Sequence, residues 1–451
     1  MQKLNLFAAA VALPLFFAYG CGDDGSASGT ETNGSGGSSG GDPTDGGAEV
    51  CDSEISGTIE VDTVWACNHT LKDIVTVKGG AKLTVMPGVT VKGLAGSALV
   101  IGKGSQLIAE GTQDMPIVFT SALDPGGRAR GDWGGVVLLG EAKNNLVNGA
   151  GAAEGLDAND PNYQYGGSDD ASSCGSLKWV RVEFAGFELT KDNELNGITF
   201  YSCGTGTTVE YVQVNMGKDD GMEFFGGKFD LKHVVITGAL DDSLDMDQGF
   251  TGKIQHVYIH QESSTANYAF EISDQKDNFD AEPRTKPVIA NVTAIGTDAT
   301  GTVETKSAGI RLKEGGALEL HNAILVQFHN AAVELTDPAT EAVATAGGIV
   351  LQHNLFWKNS GVDMGATPYI VDSMSTFDLK AFVEDAANNN QIDVDPMLNS
   401  YDYGGDITPK AGSPVLGAGM APAGFDAADY LGAVKDAASD WTRGWTDYSV
   451  N

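Results

Sequence analysis

The chain has 451 residues, with 61 acidic against 27 basic side chains and a formal net charge of −34. This length allows one elongated domain or two to three ordinary ones. Such an acidic chain is poorly suited to nucleic acid, whose binding needs lysine and arginine to displace counterions. The charge suits cations or a solvated extracellular surface instead.

The N-terminal segment predicts export and a lipid anchor. Residues 6–18 are apolar and follow Lys3, but the run is shorter than a membrane-spanning helix. It ends in "AYGC", which resembles a bacterial lipoprotein signal, where the cysteine is lipidated and becomes the new N-terminus. We therefore expect a signal peptide over 1–20 and lipidation of Cys21. An ordinary secretory signal with an incidental cysteine is the alternative.

Residues 21–50 predict a flexible linker between the anchor and a folded domain over 51–451. The linker is rich in Gly, Ser, Asp and Thr and lacks core-forming residues, so we expect it to be disordered. This arrangement predicts a monomer held by its lipid in the bacterial cell envelope. The outer membrane is the expected membrane, with exposure at the cell surface left open.

Four further cysteines predict disulfides, because an even count in an exported protein favours them. On proximity in the chain, we predict the pairs Cys51–Cys67 and Cys174–Cys203. Buried free thiols are the alternative.

An internal repeat predicts the fold. "DDGMEFFGG" (219–227) is followed by "DDSLDMDQG" (241–249), so that the two acidic pairs begin 22 residues apart. Two interleaved series of short β-type segments share this cycle. The first series is 209–214, 231–236, 254–259, 289–296, 319–326 and 351–358. The second is 197–204, 221–227, 243–249, 269–274, 309–315 and 332–337.

A cycle of this length with short alternating strands predicts an all-β, right-handed parallel β-helix, in which each coil stacks on the previous one. An antiparallel β-sandwich would not explain why the strands align cycle after cycle. We expect caps at about 51–75 and about 420–451. Residues 375–392 predict a short helix, and Trp441 and Trp445 are expected to cover the end of the solenoid.

Strand alternation separates core from surface in both series. The second series turns acidic and basic side chains outward, namely Glu223, Asp245, Asp247, Glu271, Arg311 and Lys313. In the first series a ladder of like residues precedes the apolar triplets: Tyr211, His233, His256, Asn291, Asn322 and Asn354. We interpret this ladder as structural, and its histidines as neither catalytic nor metal-binding.

The sequence also resembles a family of bacterial surface lipoproteins and secreted proteins with a pectin-lyase-like parallel β-helix. The resemblance covers nearly all of 55–448. It is carried by "TLKDIVTVKGGAKLTVMPGVTVKG" (70–93), "SALVIGKGSQLIAEGTQDMPIVFTSA" (97–122), "GDWGGVVLLGEA" (131–142), "SLKWVRVEFAG" (176–186) and "DYLGAV…DWTRGWTDY" (429–448). It implies the fold, while analogy of fold alone does not assign an activity.

The stacked aspartates raise the question of what neutralises them. Neighbouring coils would place Asp219, Asp220, Asp241 and Asp242 about one strand spacing apart, and like charges that close are unfavourable. Ca²⁺ would remove the conflict through six to eight oxygen ligands. The alternative is a set of aspartate turns that cap strands through hydrogen bonds to the backbone.

These observations favour a non-catalytic glycan-binding or structural module of the cell envelope. Ca²⁺ is the one expected cofactor, with no organic cofactor, and a polysaccharide or another envelope protein is the expected partner. The alternative is a polysaccharide lyase or glycoside hydrolase. Its candidate catalytic residues are Asp241, Asp242, Asp245, Asp247, Glu223, Glu271, Arg311 and Lys313. The chain has "IRLK" at 310–313 but lacks the Gly-His-Gly of polygalacturonase-like hydrolases.

Overall fold

The computed structural model describes residues 51–190, 193–262, 266–297, 307–359 and 368–451. The predicted signal peptide, the lipidation site Cys21 and the linker lie outside this part of the chain. Within it, no helix is long and apolar enough to cross a membrane.

The regular secondary structure of the described chain is mostly β-strand. Its first strands are β1 (Ser53–Ile59), β2 (Thr63–Trp65), β3 (His69–Val77), β4 (Lys82–Val85), β5 (Thr90–Gly93), β6 (Ala98–Ile101), β7 (Gln106–Glu110), β8 (Ile117–Ser121), β9 (Val136–Leu139), β10 (Gly151–Ala152) and β11 (Gln164–Tyr165). The middle strands are β12 (Gly175–Glu183), β13 (Glu188–Thr190), β14 (Asn193–Glu194), β15 (Ile198–Tyr201), β16 (Thr208–Asn215), β17 (Met222–Phe225), β18 (Leu231–Thr237), β19 (Leu244–Asp247), β20 (Lys253–His260) and β21 (Tyr268–Ser273). The last are β22 (Val288–Ile295), β23 (Ala308–Lys313), β24 (Leu318–Val326), β25 (Ala331–Leu335), β26 (Ile349–Gln352), β27 (Leu355–Trp357), β28 (Tyr369–Val371) and β29 (Gln391–Ile392).

Four short helical segments interrupt these strands. They are a 3₁₀ turn at Pro161–Tyr163, α1 (Pro338–Thr345), α2 (Leu379–Val383) and a 3₁₀ turn at Ala386–Asn388. The helix expected within 375–392 is confirmed by α2. Helix α1 was not predicted, although Asp337 caps its N-terminus and Pro338 occupies its first turn, a common helix start.

Twenty-five of the strands form one continuous sheet that is parallel throughout its ladders and wraps into three faces. The first face contains β2, β4, β7, β26 and the first halves of β12, β16, β18, β20, β22 and β24. The second contains β5, β8, β27, β29 and the second halves of the same long strands. The third contains β6, β9, β15, β17, β19, β21, β23, β25 and β28. The chain is therefore a parallel β-helix, as both repeat series predict.

The core fills the inside of the three faces. Phe200, Phe224 and Phe270 on the third face are fully buried and pack with the apolar side chains of the other two faces. Phe200 and Phe224 lie on adjacent strands with ring centroids 5.4 Å apart. Burial of one apolar row per face explains why the register repeats so regularly, since a slip of one residue would expose that row.

The residue ladder of the first series lies at the corner between the first and second faces. Each member has a left-handed backbone, with φ from 56° to 61°, at Tyr211, His233, His256, Asn291 and Asn322. Asparagine and histidine tolerate this conformation better than most residues. The Tyr211 and His233 rings stack at 4.2 Å, and those of His233 and His256 at 5.0 Å. The ladder is structural, as predicted.

One member of the predicted ladder was wrong. His353 (φ 55°) takes the corner in the last coil, because Gln352 pairs with His321 and Leu355 with Ile324. Asn354 follows the corner, and its side-chain oxygen accepts the Ala323 amide at 2.9 Å. The repeated His-Asn dipeptide at 321–322 and 353–354 led to an alignment shifted by one residue.

The buried histidines of the ladder predict that the folded protein becomes less stable at acidic pH. Burial, and to a smaller extent Lys232, lower the pKa of His256 from 6.5 to about 4, opposed by Asp426 and by a hydrogen bond with the Ala433 backbone. The folded state then binds fewer protons than the unfolded one. This contribution to stability is complete above about pH 6.5 and is lost as the pH falls towards 4. In denaturant titrations, the unfolding free energy of wild type should fall between pH 7 and pH 4 by roughly 2 kcal/mol more than that of His256→Asn. Parallel pH profiles would contradict this expectation.

Both predicted disulfides are present. Cys51 is bonded to Cys67, with Cα atoms 5.4 Å apart, and Cys174 to Cys203, with Cα atoms 5.7 Å apart. The second bond is buried and ties the start of β12 to the end of β15.

The C-terminal segment 393–451, called here the arm, lies along the side of the solenoid. Trp445 packs edge-on against Trp179 at 5.5 Å and Tyr211 at 6.3 Å, which belong to corners of early coils. The Gln213 side chain binds the Asp447 backbone at 2.6 and 2.9 Å. Trp441 and Trp445 were expected to cover the end of the solenoid, but they lie along its side. The aromatic side chains at the corner of the second face offer them an apolar contact there.

Candidate functional site

The candidate site lies on the third face, where successive strands stack charged side chains. Strands β17, β19, β21 and β23 place Glu223 beside Asp245, Asp245 beside Glu271, and Glu271 beside Arg311. The residues between them face the core, so each charged side chain points away from it. The outward positions predicted for these residues are confirmed.

The paired aspartates precede β17 and β19 and connect one coil to the next. One oxygen of Asp220 accepts the amide of Asp242 at 2.9 Å, and one oxygen of Asp242 accepts the amide of Tyr268 at 2.8 Å. The Asn196 side chain accepts the Asp220 amide at 3.2 Å and so starts the same ladder. The capping role that the sequence left open is therefore real. It uses one oxygen of each buried aspartate and leaves the second for another partner.

These elements enclose a cavity of about 340 Å³, called here the acidic cavity. Eight acidic and two basic side chains line it together with Asn267 and Tyr268. The acidic ones are Glu154, Asp219, Asp220, Glu223, Asp241, Asp242, Asp245 and Glu271, and the basic ones are Arg311 and Lys313. All four predicted metal ligands and most of the predicted catalytic candidates thus meet at one place.

Glu154 was not predicted. It lies in the long connection between β9 and β12, which folds back over the third face, and its amide donates to the Tyr201 hydroxyl at 3.0 Å. A connection of such length is commonly functional, but it has no strand periodicity from which an inward position can be deduced. Asn267 was also missed, although its amide donates to Asp241.

Asp247 lies apart from the other candidates. It lines a neighbouring cavity of about 270 Å³ with Tyr165, Tyr201 and Phe225, and only Glu154 lines both cavities among the described residues. Burial raises the pKa of Asp247 to about 7. Its position follows from the register, since Asp247 stands two residues beyond Asp245 on the same strand.

Burial is the main electrostatic influence in the acidic cavity. It raises the pKa values of Asp220, Glu223, Asp242 and Asp245 well above their usual range, and neighbouring carboxylates raise them further. After burial, the largest effects are those of Asp219 on the pKa of Asp220 and of Asp245 on the pKa of Glu223. Without a counter-ion, part of this group therefore keeps protons at neutral pH.

Arg311 and Lys313 form a cationic end of the cavity. Arg311 Nη1 lies 3.1 Å from Glu271 Oε2, and Lys313 Nζ bonds the other Glu271 oxygen. Burial lowers the pKa of Lys313, but Glu271 and Asp245 outweigh it and the net shift is upward. The Arg311 guanidinium also lies 5.0 Å from the centre of the Tyr268 ring. Both cations thus bind Glu271, and Lys313 also favours the charged form of Asp245.

Three groups of carboxylates could hold a metal ion. Each group offers one oxygen per residue within 4.8 Å of the others: Asp219 with Asp220 and Asp241, Asp220 with Glu223 and Asp245, and Asp242 with Asp245 and Glu271. Oδ1 of Asp245 is buried without a hydrogen-bond partner, and this residue belongs to two of the groups. Carboxylate oxygens at this separation are the ligands of hard cations such as Ca²⁺.

Comparison with known proteins agrees with the fold. A family model described as a pectate-lyase-like β-helix domain matches residues 57–446. No curated protein and no solved structure matches the chain. The family match spans nearly the whole described solenoid, including the strands of the acidic cavity and most of the arm. The chain therefore belongs to the family of pectate-lyase-like β-helix domains.

Proposed function

We propose that the protein is a lipid-anchored, non-catalytic module of the bacterial cell envelope that binds Ca²⁺ in the acidic cavity. The observation that carries the proposal is the group Asp220, Glu223 and Asp245, whose oxygens lie within 4.8 Å of one another while Oδ1 of Asp245 is buried without a partner. An unpaired buried carboxylate oxygen is unfavourable, and a cation would satisfy it.

Charge balance supports the same proposal. The cavity holds eight acidic side chains against two basic ones, and both basic ones bind Glu271. Ca²⁺ accepts irregular sets of six to eight oxygens, whereas Mg²⁺ requires a tighter octahedron. Each group draws its oxygens from two neighbouring coils, and such an irregular set suits the larger ion. Water or the hydroxyl groups of a glycan would complete its coordination, which is how the expected polysaccharide would reach the site.

Location in the envelope rests on different residues. Cys21 and the linker follow a sequence that resembles a lipoprotein signal. The two disulfides support export, because such bonds persist in oxidising compartments. A single cysteine carrying two or three acyl chains would hold the domain stably at a membrane.

A carbohydrate-active enzyme is the second candidate. Raised pKa values at Asp242 and Asp245 are typical of general acids, which favours a hydrolase over chance clustering. Against a lyase, Lys313 has a raised pKa and stays protonated beside Glu271, which makes it a poor base for proton abstraction. Arg311 and Lys313 both bind Glu271, and the Gly-His-Gly motif of the hydrolases is missing from the sequence. These two observations favour a binding function over an enzymatic one.

Thermal melting tests the Ca²⁺ proposal. We expect Ca²⁺ at about 100 times its dissociation constant to stabilise the chelator-treated protein by about 2–3 kcal/mol. Glu223→Gln with Asp245→Asn should remove most of this shift, since both side chains belong to the same group. The exposed Asp73→Asn serves as the control and should keep it.

An equal melting midpoint in Ca²⁺ and in chelator would reject the Ca²⁺ site. A screen of charged and neutral glycans with wild type, Asp242→Asn and Asp73→Asn separates the two functions. Turnover that disappears in Asp242→Asn but not in Asp73→Asn would favour the hydrolase.

A further inference from the structure

The smaller cavity beside the acidic cavity, called here the aromatic cavity, has a wall of stacked rings. Its volume is about 270 Å³. Tyr165, Tyr201 and Phe225 form the wall, and each of these residues is at most 8% exposed. Leu146 and Ala152 extend the apolar part of the lining, and polar and charged side chains complete it. Small-molecule sites commonly combine an apolar wall with a few polar groups in this way.

Part of this wall is one outward row of the third face. Strands β15, β17 and β19 place Tyr201 beside Phe225, and Phe225 beside Asp247. The rings of Tyr201 and Phe225 are stacked, with centroids 4.5 Å apart and planes inclined by only 3°. On the next coil the row continues with the shorter side chain of Asp247 instead of a third ring. The stack therefore ends at Phe225, with a carboxylate one strand spacing further along the row.

Hydrogen bonds hold the wall in place. The Tyr165 hydroxyl donates to Oε1 of Gln248 at 2.7 Å, and the Gln248 carbonyl accepts the Asn145 amide at 3.0 Å. The Tyr165 ring lies 4.6 Å from the Tyr201 ring, and the Tyr201 hydroxyl accepts the Glu154 amide at 3.0 Å. The long connection between β9 and β12 is thus tied to the third face, and the cavity is formed before any ligand arrives.

The charge of the lining favours a cation. Three acidic side chains, Glu154, Asp247 and Asp277, line the cavity against one basic side chain, Lys276. Lys276 is exposed at the rim, whereas burial raises the pKa of Asp247 to about 7. A buried carboxylate is stabilised in its charged form by a positive group beside it. A bound cation would therefore remove an unfavourable burial of charge.

A metal ion does not suit this cavity. Among the described residues, none of the three carboxylate groups that could hold a metal includes Asp247. Ca²⁺ needs six to eight oxygen ligands, and the ring wall offers few of them. The face of an aromatic ring instead attracts organic cations, and the attraction grows when water is excluded. The lining thus distinguishes an organic cation from the inorganic one proposed for the acidic cavity.

We propose that the aromatic cavity binds a small organic cation that carries a guanidinium or ammonium group on a short alkyl chain. The charged group lies on the Phe225 ring, where a third ring would stack, and pairs with the Asp247 carboxylate. The alkyl chain lies against Leu146 and Ala152. A guanidinium group suits this position well, because it is planar, stacks on aromatic rings and binds a carboxylate through two N–H groups at once.

Calorimetric titration of the full-length protein in chelator tests this site. The probes are butylguanidinium, butylammonium and uncharged butylurea, which has nearly the shape of butylguanidinium. We expect at least one of the two cations to bind. Butylurea should bind at least tenfold more weakly than that cation, because it lacks the charge that the carboxylate and the ring attract.

Two variants separate the contributions of the carboxylate and the ring. Asp247→Asn should weaken binding of the cation about tenfold to a hundredfold, because a charge-assisted contact is lost. Its amide oxygen can still accept the Gln248 amide, as the carboxylate does. Phe225→Leu should weaken binding about threefold to tenfold, because an apolar side chain remains but the ring face is lost. The exposed Asp73→Asn is the matched control and should leave the affinity unchanged.

Three outcomes would overturn the proposal. These are no binding of either cation, equal binding of butylurea, and an unchanged affinity in Asp247→Asn or in Phe225→Leu. Asp247→Asn should also keep the melting shift that Ca²⁺ produces, since Asp247 belongs to none of the metal-binding groups. Failure of the organic cation to bind therefore leaves the Ca²⁺ site standing, and failure of the Ca²⁺ shift leaves this site standing.

Discussion

Replacing both Arg311 and Lys313 by methionine is expected to destabilise the chelator-treated protein by about 3–5 kcal/mol. Glu271 is only 8% exposed and receives both cations, so the double variant leaves a buried carboxylate without its partners. Methionine keeps much of the side-chain volume while it removes the charge and the hydrogen bonds to Glu271. Denaturant unfolding in chelator measures the loss.

Ca²⁺ should recover a substantial part of this loss. The double variant removes the only two basic side chains that line the acidic cavity among the described residues, and Glu271 already belongs to one carboxylate group. Cation affinity should therefore rise above that of wild type. The control is Lys72→Met, whose pair with Glu54 is more than half exposed and should contribute less than about 1 kcal/mol. A loss that Ca²⁺ does not reduce would mean that the cavity holds no cation.

Sequence periodicity predicts the solenoid and most of the acidic cavity for one physical reason. A strand alternates its side chains between two faces, and a buried face fixes the register of every coil. Once Met222 and Phe224 are assigned to the core, Glu223 must point outward, and the 22-residue cycle puts Asp245 beside it. The positions of most residues of the candidate site can therefore be predicted from their apolar neighbours, which are core residues and do not belong to the site.

Features outside that periodicity could not be predicted in the same way. Glu154 reaches the cavity through a long connection, and Trp445 packs against Trp179 and Tyr211 although 234 or more residues separate them in the chain. Such contacts depend on the three-dimensional path of segments without alternation. The shift at His353 has a related cause, since two residues suited to a left-handed corner stand side by side there.

On β17, outward side chains belong to the acidic cavity and inward ones to the core, and this alternation predicts a second large effect. Phe224→Ala should destabilise the protein by about 3–5 kcal/mol, the usual loss for a buried phenylalanine. The ring is fully buried and lies 5.4 Å from Phe200 and 4.7 Å from Phe250, so its removal leaves a cavity between coils. In a solenoid each coil is stabilised mainly by its neighbours, and such a cavity weakens the contact between them. Phe279→Ala, at a ring 36% exposed, should change the unfolding free energy by less than about 0.5 kcal/mol.

The Ca²⁺ response distinguishes this core position from the site one residue away. Glu223 points into the acidic cavity while Phe224 points into the core, so Phe224→Ala should lower the melting midpoint yet keep the upward shift that Ca²⁺ produces. Glu223→Gln with Asp245→Asn should show the reverse, with a small change in chelator and little response to Ca²⁺. Loss of the Ca²⁺ shift in Phe224→Ala, at a temperature where circular dichroism shows the strands intact, would contradict this separation. It would mean that cation binding depends on how the coils pack as well as on the outward carboxylates.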